Sequence, residues 1–342
     1  MLRVCVDPYT LACPSSSEGM EVFLDYVGSL LELQELNASR RLPVVGSVGA
    51  AEILSKTSKY PIWTDLKDII SRYGINDIQP RDIVRIVNTL LTQLLFIEDD
   101  SRIRDLLYEG EFCEPFSSIS HRRQEYQIEF YRLAVWSHLE DVLCGNKYVL
   151  YTRDIPNGVE TIRFAATIQH LEHKSGDYVG GLPLQISDRL PFCSNRVPLR
   201  KVFGSEIIWV NVDNKAGKMF ALKCALEERM VVKGRDAAEA ESFLWKAGPQ
   251  FFKSLETLGF AEDINKARNL LQACVDTIVG DNLRATHALR IGDGAEDPQQ
   301  FRGEDGAWRR DISHEFHLHY WITPSGPEFA SVVMHRDMSI PQ

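Results

Sequence analysis

Three acids stand where strand ends can gather a divalent metal. Asp7 closes the apolar run Val4-Cys5-Val6, and Asp154 closes Tyr148-Val149-Leu150-Tyr151-Thr152-Arg153. Glu52 lies between them in Ala50-Ala51-Glu52-Ile53-Leu54, a helical run just past Leu42-Pro43-Val44-Val45-Gly46. Hard divalent cations take oxygen ligands, so carboxylates suit Mg²⁺ or Mn²⁺. Such an ion neutralises a phosphate and lowers the pKa of a bound water, which then attacks in line. Glu129, 25 residues before Asp154, is a fourth candidate ligand from the preceding helix. Each acid also has a plain reading. Asp7 before Pro8 starts a turn, Asp154-Ile155-Pro156-Asn157-Gly158 makes a hairpin turn, and Glu52 is a solvated helix residue.

A second constellation lies near the end. Five of the nine histidines follow residue 286, and His314-Glu315-Phe316-His317-Leu318-His319-Tyr320-Trp321 is the densest cluster. On a strand, side chains alternate, so Glu315, His317 and His319 share one face. Phe316, Leu318 and Tyr320 then form the core face. Two imidazoles two residues apart with a nearby carboxylate can hold a metal. The alternative is a half-buried strand whose polar face is wet or paired.

The elements that must position these groups are legible in outline. A strand over 2–7, a helix over 17–37, a strand at 42–46, helices near 63–73 and 81–97, a helix over 122–143 and a strand at 148–152 alternate as in an α/β domain. Continuous apolar runs of this kind read as buried parallel strands with helices on both faces. Pro80 suits a first helical turn, and Gly145 and Gly280 suit left-handed helix ends. The turn-rich stretch 174–183 suggests domains over 1–175 and 183–342. The second half reads as α+β. It has a strand at 207–212, helices at 215–229, 236–246, 249–258 and 263–279, a loop over 292–306, and strands 315–323 and 329–334 joined as a hairpin.

Composition narrows the class. The net charge of −10 argues against strong nucleic-acid binding by the whole surface. The clusters His121-Arg122-Arg123, Arg196 to Lys201 and Arg309-Arg310 read as solvated patches. No run approaches the ~18 apolar residues that span a bilayer, so no membrane role is expected. Seven scattered cysteines without a C-x-x-C pair suggest a reducing, cytoplasmic compartment. Phosphate-loop, G-x-S-x-G and H-E-x-x-H motifs are absent.

About residues 1–170 resemble the PIN-like metal-dependent nucleases. The match rests on Val4-Cys5-Val6-Asp7, on Ser47-Val48-Gly49-Ala50-Ala51-Glu52-Ile53-Leu54, and on a helix, a glycine turn and a strand ending Tyr151-Thr152-Arg153-Asp154. The resemblance implies a sheet rim where Asp7, Glu52 and Asp154 bind Mg²⁺ or Mn²⁺ and cleave RNA or DNA, in a toxin or phage-defence setting. The family's usual acid about 20 residues before the last aspartate is missing, since Arg132-Leu133-Ala134-Val135-Trp136 fills that zone. Hence the alternative is a non-catalytic adaptor, built on a degenerate nuclease fold, that holds protein partners in a larger prokaryotic defence complex. The last 95 or so residues, with helices at 249–279 and then Arg309, Arg310, His319, Tyr320, His335 and Arg336, resemble the RelE-type mRNA interferases of toxin–antitoxin systems; His317 is a further candidate on the same strand. That resemblance implies basic and aromatic groups on a small sheet that stabilise a cleaved phosphodiester.

Overall fold

The computed structural model describes residues 1–342 except 115–118, 154, 156–160, 177–180, 195–198, 293 and 295, and the side chains of 111–114. The chain divides into two compact units, Met1–Val202 and Phe203–Gln342. The turn-rich stretch 174–183 therefore falls inside the first unit, not at its end.

The first unit holds β1 (Leu2–Val6), α1 (Pro8–Leu11), α2 (Met20–Ser39), β2 (Val44–Gly46), α3 (Ala50–Lys56), α4 (Trp63–Tyr73) and α5 (Pro80–Gln93). It continues with β3 (Leu95–Phe96), α6 (Ile97–Asp100), β4 (Ile103–Glu114), α7 (Gln124–Cys144), β5 (Lys147–Tyr151), β6 (Thr161–His173), β7 (Leu184–Cys193) and α8 (Leu199–Val202). The sheet order is β3-β2-β1-β5-β7-β6-β4. β3, β2, β1, β5 and β7 pair in parallel, and β6 and β4 extend the sheet antiparallel. The first unit is thus a mixed, parallel-rich α/β sheet with helices against it, rather than the wholly parallel one expected.

Local physics explains the elements. β1 lies between β2 and β5, so Leu2, Val4, Cys5 and Val6 are all buried, as a central parallel strand requires. α5 starts with Pro80 in its first turn and buries Ile83, Ile86, Val87 and Leu90 along one face. α7 ends on Gly145 in the left-handed conformation and sends Phe130, Leu133, Ala134 and Leu139 into the main core. Beyond the helices expected near 63–73 and 81–97, the chain before α7 also forms β3 and β4.

The second unit holds α9 (Ser205–Val210), α10 (Lys215–Val232), β8 (Lys246–Ala247), α11 (Pro249–Thr257), α12 (Ile264–Val279), β9 (Thr286–Ala288), β10 (Phe301–Arg302), β11 (Asp305–Asp311), β12 (Phe316–Thr323) and β13 (Gly326–Met334). The expected strand at 207–212 is instead mostly helix α9, because a short apolar run fits a buried helix turn as well as a strand. The sheet order is β10-β11-β12-β13-β8, with β9 also paired to β11. β12 and β13 form an antiparallel hairpin, and β8 pairs parallel to β13. Gly326 opens β13 at φ +96°, and a Cβ there would collide with the Leu244 carbonyl. Among the described residues, no helix is long and apolar enough to cross a membrane. Cys5, Cys13, Cys144, Cys193, Cys224 and Cys274 are free thiols.

Candidate functional site

At the rim of the first sheet, β1 and β5 lie side by side, so the chain beyond them emerges together. Asp7 is fully buried there and caps α1 by accepting from the Tyr9 amide. Its other oxygen accepts from the Thr152 hydroxyl and from Arg122, whose Nη1 lies 2.8 Å away. Arg122 also donates to Thr152 Oγ1 and the Arg153 carbonyl, and lies over the Tyr9 ring at 4.2 Å. Burial pushes the Asp7 carboxyl up from its usual range, against the pull of Arg122, Thr152 and the Tyr9 amide. Arg122 is therefore a buried counter-ion, not the solvated patch expected of His121-Arg122-Arg123.

Glu52 and Glu129 do not join Asp7. Glu52 points outward from α3, with its side chain 67% exposed and ion-paired to Lys56 one turn on. Glu129 is buried on α7, accepting from Ser47 and, at 2.9 Å, from Arg132. Arg132 also pairs with Glu98 of α6, so one guanidinium sits between two carboxylates near the ends of β2 and β3. Asp154 lies outside the described residues. Among the described residues, no group of three or more His, Cys, Asp or Glu is placed to hold a metal ion. Among the described acids of the rim, Asp7, Glu98 and Glu129 carry arginine partners and Glu52 faces water. From sequence Arg122 belonged to a solvated patch and Arg132 had no role of its own. The signal for Arg132 was its place where the missing acid was expected.

The second sheet places polar groups on one face. Arg309 of β11 faces His319 of β12, which faces Ser331 of β13. One step along, Asp311 faces His317. Directly opposed residues share a face, so these five side chains form one patch. His287 on β9 pairs with Arg309, and the exposed His335 has its ring centroid 4.8 Å from that of His317. Glu315 lies before β12 and pairs with His314 at the surface, so it leaves the expected set. Arg310 points to the other face. It is buried and donates to the carbonyls of Asp281 and Asn282 past α12, a structural tie in place of an exposed basic group.

The patch carries an unusual concentration of unsatisfied polar atoms. Arg309 Nε, His317 Nδ1, His319 Nε2 and Ser331 Oγ are buried without a hydrogen-bond partner among the described residues. Each such atom costs about 1–3 kcal/mol, so most folds eliminate them. His319 donates from Nδ1 to the Ser339 carbonyl at 2.8 Å, which leaves its Nε2 with a lone pair. Burial pushes His319 down to about 4 and also lowers His317. Residues 337–341 cross this face. Met338 Sδ contacts Arg309 Nη1, the Pro341 carbonyl accepts from Trp321, and Ile340 is buried with Trp321. Beside the patch, a cavity of about 500 Å³ is lined by His287, Arg290, Trp308, Arg309 and Met338.

No family model, curated protein or solved structure matches this chain.

Proposed function

We propose that this protein cleaves RNA phosphodiester bonds without a metal, using the polar face of its second sheet. The observation that carries the reading is the meeting of Arg309, His317, His319 and Ser331 with four buried, unsatisfied polar atoms. The resemblance of the last 95 or so residues to RelE-type interferases supports the same chemistry. In this reading His317 Nδ1 takes the proton of a ribose 2′-hydroxyl while that oxygen attacks phosphorus. The bond to the 5′-oxygen breaks, and protonated His335 supplies its proton. Arg309 offsets the charge that develops on the phosphoryl oxygens. The products are a 2′,3′-cyclic phosphate and a 5′-hydroxyl, and water resets the two histidines. Ser331 donates its hydroxyl proton to the bound phosphate. Segment 337–341 must move aside to admit RNA. Digestion of labelled single-stranded RNA in chelator, with product ends identified, tests the reading.

A second reading concerns the first unit. Arg122 on Asp7 and Arg132 between Glu98 and Glu129 favour a non-catalytic, PIN-like frame that holds protein partners, as in a prokaryotic defence complex. Metal-dependent hydrolysis by Asp7, Glu52 and Asp154 with Mg²⁺ or Mn²⁺ has less support, since Asp7 would first have to give up Arg122. The free thiols favour a cytoplasmic setting.

A further inference from the structure

Asp311 is the last residue of β11 and stands directly across from His317 on β12. Its Oδ1 lies 3.2 Å from His317 Nε2. The imidazole is 3% exposed, whereas the carboxylate is 47% exposed. A carboxylate at this distance favours the proton on the ring nitrogen that faces it, which leaves the other nitrogen, Nδ1, with its lone pair. Nδ1 is the atom left without a partner. We propose that Asp311 is a positioning residue that fixes the tautomer and orientation of His317, so that Nδ1 serves as the proton acceptor. The inference rests on the reading of this face as the RNA-cleaving site.

The surroundings fit that role. His317 is faced by Asp311 and Arg309 on β11, His287 on β9, His319 on its own strand and His335 after β13. Burial, Arg309, His335 and His287 all favour the neutral ring, and Asp311 alone opposes them. A neutral ring is the basic form, and a carboxylate that orients it without taking its proton is the arrangement acid–base sites use.

Nitrogen-15 NMR of the full chain, with RNA cleavage followed across pH, tests this in the native protein, Asp311→Ala and Asp311→Glu. Expected is a native His317 protonated at Nε2 alone. Asp311→Ala lets the Nδ1–H form appear, lowers the cleavage rate about 10- to 100-fold and moves the acid limb of the pH profile down. Asp311→Glu restores part of both signals. A native His317 protonated at Nδ1, or a tautomer unchanged in Asp311→Ala, overturns the role of Asp311 even if RNA is cleaved. A native chain that leaves RNA intact overturns the cleavage reading, and the NMR result then still decides whether Asp311 sets the tautomer.

Discussion

Arg122 reaches the Asp7 carboxylate at 2.8 Å with both side chains fully buried. Removing one partner of such a pair leaves a charge without compensation in the interior. Arg122→Met should therefore cost about 3–5 kcal/mol, read from urea unfolding of the full chain. Asp7→Asn with Arg122→Met should recover part of that loss. A loss below about 1 kcal/mol for the single variant would show that the pair behaves as a surface contact.

His319 makes stability depend on pH with a definite sign. Its folded value of about 4 lies below the ordinary 6.5, so the unfolded chain binds more protons between those values. Stability is fully present above about pH 6.5 and is lost as pH falls toward 4. The loss is about 3 kcal/mol at most. Thermal unfolding from pH 7.5 to pH 4.5 on the order-of-magnitude scale of that loss checks it. The slope should flatten in His319→Gln, and an equal slope in both proteins would contradict the assignment.

Segment 337–341 covers Arg309 and His319, and Ile340 anchors it. Ile340→Ala removes buried contact of about 2–5 kcal/mol, which raises the open population. RNA cleavage should rise by about 30-fold or more while circular dichroism stays native. An unchanged or lower rate with an intact fold would show that the segment does not gate access.

The turn into β13 depends on Gly326 at φ +96° beneath the Leu244 carbonyl. Gly326→Ala meets both a disfavoured backbone and a collision, and should cost about 1–3 kcal/mol. Denaturant unfolding would show the drop, and a stability equal to the native protein's would mean that the turn relaxes freely.

Much of the frame was readable in the residues themselves. The apolar runs at β1 and β5, Pro80 in the first turn of α5, and the glycine ends of α7 and α12 carry their own local physics. β6 carries Ile162, Phe164, Ala166 and Ile168 at strand spacing and could have been read, whereas β4 finds its partner β6 only across α7 and β5. The acids were legible as types but not as a set. Glu52 and Asp7 differ only in which way their backbones turn them, and Arg122 looked like part of a solvated basic run. His317 and His319 were visible as a same-face pair. Asp311 and Ser331 were not, since only the register across β11, β12 and β13 brings them there.

The decisive measurement is cleavage of labelled single-stranded RNA by the full chain, with EDTA and with Mn²⁺, in the native protein, Arg309→Ala, His317→Ala and Asp7→Asn. The proposed chemistry predicts cleavage that survives EDTA and leaves 2′,3′-cyclic phosphate ends. It predicts a fall of about 10²- to 10³-fold in Arg309→Ala and His317→Ala, with little change in Asp7→Asn assayed where circular dichroism shows that variant folded. Cleavage that needs Mn²⁺ and disappears in Asp7→Asn, or no cleavage under either condition, would contradict it.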